Sequence, residues 1–96
     1  MRARKGRRHG SAVEVIIFRC PGCDDRHQVT VGELGQWGWN GSLDLPTFEG
    51  SVLVRGPIRD RGDGVCHSFI RDGRIEYLAD STHSLAGQTV DLPEER

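Results

Sequence analysis

The sequence predicts a mostly β fold, a small antiparallel sheet of hairpins around a zinc-knuckle-stabilised core, with little helix. Three observations predict it. Thirteen of the 96 residues are glycine and long aliphatic helix formers are few, a composition of many turns and short strands. Apolar and polar residues alternate in runs such as VEVIIFR and HQVTV, the period of a half-buried strand. Between those runs stands Cys20-Pro21-Gly22-Cys23, a turn that brings two thiols to one point. The length suits one core, so a single domain over residues 11–96 is expected behind a terminal segment of different character.

That segment, residues 1–10, holds Arg2, Arg4, Lys5, Arg7 and Arg8 and no acid. It is expected to be a basic disordered arm, either a solvated terminus or a contact for nucleic acid through residues 2–8. The remaining eight basic side chains face fourteen acidic ones, so the near-neutral total of −1 hides a body of −6. An acidic body disfavours a DNA-binding face and favours a protein or peptide partner. No apolar run approaches the roughly 20 residues of a membrane span. The basic start leads into Glu14 rather than into a secretory h-region, and the cytoplasm is the expected compartment.

Strands are expected at Val13–Arg19 and His27–Val31, flanking the knuckle, and then at Ser51–Arg55, Val65–Ile70, Arg74–Ala79 and Gln88–Leu92. Between the second and third, Gly32–Gly50 carries Trp37 and Trp39 in WGWNGSLDLPTF. Two apart, these rings share one side of a strand, where they pack on the core or form a stacking surface. Gly56–Gly64 reads as a polar, mobile loop. Asp72-Gly73 between alternating runs is a two-residue hairpin turn. Counting outward from it pairs Ile70 with Ile75, Ser68 with Tyr77, His67 with Leu78, Cys66 with Ala79 and Val65 with Asp80.

Three cysteines are an odd number for a disulfide framework and fit a metal site. A redox CxxC would open a helix, whereas a strand-like run follows Cys23. Cys66 is the third thiol, and the alternative for it is an ordinary small buried side chain. Alternation sends Cys66 and His67 to opposite faces. His83 lies just beyond the partner strand near Cys66 and is selected as the fourth ligand with Cys20, Cys23 and Cys66. His27 is the next candidate, and His67 requires a broken strand. A closed set of three thiolates and one histidine implies structural Zn²⁺, which in so small a core supplies folding free energy.

The face opposite Cys66 carries His67, with Asp80 diagonally across. A carboxylate that orients an imidazole makes it a general base, and Ser51, at the start of its strand, is the nucleophile candidate. A hydrogen-bonded structural His67 is the alternative. No HExxH, P-loop or GxGxxG motif supports metalloprotease, nucleotide or dinucleotide chemistry.

The series FRCPGC, WGWNG, PTF, SVLVRG, CHSFIRDGRIEYLAD and THSLAGQTVDLP resembles a family of small phage and bacterial proteins, many labelled "ammonia monooxygenase". That label conflicts with a chain lacking a membrane span. Some relatives are encoded beside bacterial ubiquitin-like proteins and their conjugating enzymes and are proposed to be peptidases that process or remove the modifier. The resemblance covers about residues 16–93. It implies metal-type positions at Cys20, Cys23 and Cys66 and polar motif positions at Ser51, His67, Asp80 and His83. The family pattern has proline just before the serine, and this chain has Glu49-Gly50 instead. Two functions are therefore expected: a zinc-stabilised serine-type peptidase acting on ubiquitin-like proteins, or a non-enzymatic phage or bacterial interaction module using the tryptophan segment and the loop Gly56–Gly64.

Overall fold

A computed structural model describes residues 1–7, 12–57 and 63–94. Among them all regular structure is strand, arranged in antiparallel sheets of three, two and four strands. Among the described residues no helix is long and apolar enough to cross a membrane.

The first sheet is β1 (Arg4–Arg7), β2 (Glu14–Cys20) and β3 (Asp25–Val31), in that order. Within the segment expected to be a disordered arm, residues 4–7 are strand instead: Arg4 pairs with Ile17 and Arg7 with Glu14. The reason is a good edge on β2 and local anchors. Gly6 lets Ile17 and Val15 approach its Cα, Lys5 meets Glu14 at 3.7 Å, and its ammonium lies 5.6 Å above the Trp39 ring. Ala3 is fully buried. Residues 8–11 lie outside the described residues.

The four-stranded sheet runs β6 (Val52–Pro57), β7 (Asp63–Arg71), β8 (Arg74–Tyr77) and β9 (Thr89–Asp91). Asp72 and Gly73 both take positive φ, 50° and 75°, as a type I′ hairpin turn requires. Thr47 Oγ1 and the Pro46 carbonyl accept hydrogen bonds from the two turn amides. The expected register holds from Arg71–Arg74 to Ser68–Tyr77 and then stops. Leu78 N donates to His67 O, Ser81 N closes a turn onto Leu78 O, and Thr82 N returns to Val65 O. Ala79 and Asp80 therefore sit in a turn rather than opposite Cys66 and Val65. Of the expected mobile loop, Gly56, Pro57, Asp63 and Gly64 extend β6 and β7 as paired residues, and residues 58–62 lie outside the described residues.

The third sheet is the short ladder of β4 (Gly38–Trp39) with β5 (Phe48–Glu49). It sets the tryptophans against the core, where both are partly buried; their indole N–H groups donate to Ser51 O and Ser42 O.

One core joins the inner faces of the large sheets. Ile16, Phe18 and Cys20 come from β2, Val29 and Val31 from β3, and Val52, Cys66, Ile70, Ile75 and Tyr77 from the second sheet. Full burial of a side chain such as Phe18 contributes about 1.5–3 kcal/mol. The outer face of the second sheet stays open and carries Leu53, Val65, His67 and Phe69.

Candidate functional site

Two side-chain clusters occupy opposite faces of β7, because Cys66 and His67 alternate. On the inner face, one donor atom from each of Cys20, Cys23, His27 and Cys66 lies within 4.8 Å of the others. The hairpin register builds this group: Phe18 pairs with His27 and Cys20 with Asp25, so His27 and Cys20 are diagonal neighbours on one face. β7 then brings Cys66 across, with Cys20 Sγ and Cys66 Sγ 3.8 Å apart. That separation is about the edge of a tetrahedron with 2.3 Å metal–sulfur bonds. His27 Nε2 is buried and, among the described residues, meets no hydrogen-bond partner at bonding geometry, as befits a ligand nitrogen rather than a satisfied core histidine. These donors can hold a metal ion.

Tyr77 supports the cluster from behind. Its hydroxyl lies 3.1 Å from Cys20 Sγ and accepts from Gly22 N at 2.9 Å, the outer-layer hydrogen bonding that orients thiolate ligands. Hydrogen bonding with Cys66 holds the Cys20 thiol far below its ordinary range, while sharing that proton with Cys20, and then burial, push Cys66 up. Burial also pushes the Tyr77 phenol up. A thiol held low in this way gives up its proton readily, and the thiolate is the form a metal takes.

His83, the fourth ligand expected from the sequence, does not join the sulfurs; His27 takes that place. The His83 ring stacks edge-on against Tyr77 at 4.4 Å between centroids, and its Nδ1 accepts from Leu85 N. It lies over the knuckle turn. A Cβ on Gly22 would fall 2.4 Å from His83 Cε1. Gly22 is therefore required for this close approach and not for a positive φ; the left-handed residue of the turn is Asp24, at φ 53°.

On the outer face, His67 Nδ1 lies 3.0 and 3.2 Å from the two carboxylate oxygens of Asp80. With Nδ1–H donating to a carboxylate, Nε2 is the acceptor nitrogen. The turn that carries Asp80 is locked to β7: Ser81 Oγ accepts from His67 N and donates to His67 O, both at 3.0 Å, and Thr82 Oγ1 accepts from Val65 N. Two hydroxyls replace the missing strand. Sequence reasoning passed over Ser81 as a positioning group, although a polar SerThr pair directly after Asp80 was its signal.

Ser51 precedes β6. Leu53 pairs with His67, so Ser51, two residues earlier, is diagonal to His67 on the same face, a Cβ spacing of about 7 Å. No hydrogen bond joins Ser51 Oγ to His67 among the described residues. Its backbone is fixed by Trp37 Nε1 donating to its carbonyl at 3.2 Å and by Gly50 at φ 94°, an angle closed to proline. This chain sets the start of β6 by a left-handed glycine directly before Ser51.

Residues 2–78 match the family described as bacterial ubiquitination-like system serine protease (BubE). No curated protein and no solved structure matches the chain.

Proposed function

Because the chain belongs to the family of bacterial ubiquitination-like system serine proteases, we propose that it is a serine peptidase in which Ser51 attacks, His67 is the general base and Asp80 orients it. The observation that carries this reading is the Nδ1–carboxylate contact of His67 with Asp80, which leaves Nε2 as the acceptor nitrogen. Ser51 Oγ bonds to the substrate carbonyl carbon as its proton passes to Nε2. Collapse of the tetrahedral adduct breaks the C–N bond, and His67 gives the proton to the leaving amine. Water then repeats the sequence on the acyl-serine ester.

The substrate is a protein carrying a ubiquitin-like modifier, and the compartment is the cytoplasm. Cys20, Cys23, His27 and Cys66 hold one Zn²⁺. With all four positions taken by protein donors the metal is structural, and it supplies folding free energy to the core beneath the catalytic face.

The test is cleavage of a ubiquitin-like fusion by the wild type, Ser51→Ala and His67→Ala, with labelling of Ser51 by an alkyl fluorophosphonate. Loss of cleavage in both variants and a Ser51 adduct are expected. Unchanged cleavage in either variant overturns the assignment.

A further inference from the structure

The strand that begins beside Ser51 is also the open edge of its sheet. In the order β6-β7-β8-β9, among the described residues, only β7 pairs with β6. Among the described residues no backbone hydrogen bond from Val52–Pro57 runs to any other segment. An unpaired edge is a template for another extended chain. Its outer face is prepared for one. Leu53, paired with His67, is 44% exposed, and Arg55 is exposed with no ion-pair partner among the described residues. A shallow groove of about 420 Å³, lined by Arg55, Gly56, Asp63, Gly64, Val65 and Thr82, continues the same face away from His67.

Resting on the peptidase reading above, we propose that β6 binds the substrate by strand addition: the segment N-terminal to the cleaved bond pairs antiparallel with Val52–Arg55 and carries an acidic residue. Antiparallel pairing is the more stable ladder per residue. It runs the peptide from the Pro57 end towards Ser51 and brings the acyl carbonyl to the nucleophile. Paired residues share a face, so the peptide residue opposite Ser51 and those two and four positions before it stand over Ser51, Leu53 and Arg55. The first faces the nucleophile, the second meets an apolar surface, and the third meets a guanidinium with no ion-pair partner among the described residues. Asp63 lies one step further along the groove, so an acid is favoured only at the position opposite Arg55. An extended, flexible tail fits this edge; a folded surface does not.

Inactivation of the full chain by phosphonate probes tests this, read as intact mass. An alkyl fluorophosphonate needs no peptide subsite, so failure to modify Ser51 with it defeats the peptidase reading itself and this inference with it. Where that adduct forms, pentapeptidyl diphenyl phosphonates with Glu or Lys as first residue are compared. The Glu probe should inactivate about threefold faster than the Lys probe, and Arg55→Glu should reverse the order. N-methylation of alternate backbone amides should slow inactivation about fivefold, with the intervening amides insensitive. Equal rates for the two probes in both proteins, or N-methylation effects without alternation, overturn the inference.

Discussion

His67 Nδ1 lies 3.0 Å from Asp80 Oδ2, thirteen positions away in the chain, and the contact is made by a turn rather than by strand register. β8 ends at Tyr77, the chain turns through Leu78–Ser81, and the Ser81 hydroxyl closes onto both backbone polar groups of His67. The imidazole is thereby fixed at its backbone and at one ring nitrogen. A histidine held in this way keeps one tautomer, which a general base requires.

Asp80→Asn removes the carboxylate and keeps its size. The orienting charge is lost, and cleavage of a ubiquitin-like fusion should fall on the order of 10²- to 10⁴-fold. Asp80 is 60% exposed, so the thermal midpoint should move little. A melting curve beside the rate measurement separates the two effects, and an unchanged rate removes Asp80 from the mechanism.

Ser81→Ala leaves Asp80 in place but frees the His67 amide and carbonyl from the turn. The loss of two hydrogen bonds should destabilise the chain by about 1–3 kcal/mol. Turnover measured well below the melting temperature should also fall, with Ser81→Thr restoring both. Loss of stability without loss of turnover would make Ser81 a fold residue alone.

Metal analysis distinguishes the two histidines. One Zn²⁺ per chain is expected for the wild type and for His83→Ala. His27→Ala and Cys20→Ser should lose the metal and unfold. Because protons compete for thiolates and imidazole, affinity should fall as pH falls. Acid titration followed by a zinc-sensitive dye should show release coinciding with loss of the native circular dichroism signal. Zinc retained in His27→Ala and lost in His83→Ala would restore the ligand set expected from sequence.

The second hairpin was legible because Asp72-Gly73 fixes a register from which faces can be counted, and that count separated Cys66 from His67 correctly. Applied to the first hairpin, the same count places His27 on the face of Cys20. The sequence reading chose His83 instead because it lies near the end of β8, whereas the donors that cluster with the sulfurs include His27. Asp80 was found near His67 for an incorrect reason, since a hydroxyl-capped turn imitates one more ladder step. The strand at Arg4–Arg7 was hidden by its charge: its stability comes from the β2 edge and from Trp39 beneath Lys5, partners that a local reading of a basic run does not supply. The edge character of β6 depends on the order of strands in the sheet, which alternation does not determine.

Gly22 offers the sharpest packing test, because its restriction comes from a neighbour and not from its backbone angle. An alanine Cβ there would meet His83 Cε1 at 2.4 Å and Nε2 at 2.6 Å, and the ring is buried against Tyr77, so it has little room to retreat. Overpacking of this kind costs about 1–3 kcal/mol. Gly22→Ala should therefore lower stability in denaturant titration by that amount, and shifting the ring should disturb the Tyr77 hydroxyl that contacts Cys20 Sγ. If the clash is the cause, His83→Ala makes room for the methyl group. The double variant should then be destabilised by less than the sum of the two single ones, with a coupling of about 0.5–3 kcal/mol. Strict additivity would mean that the knuckle and His83 do not meet as the structure describes.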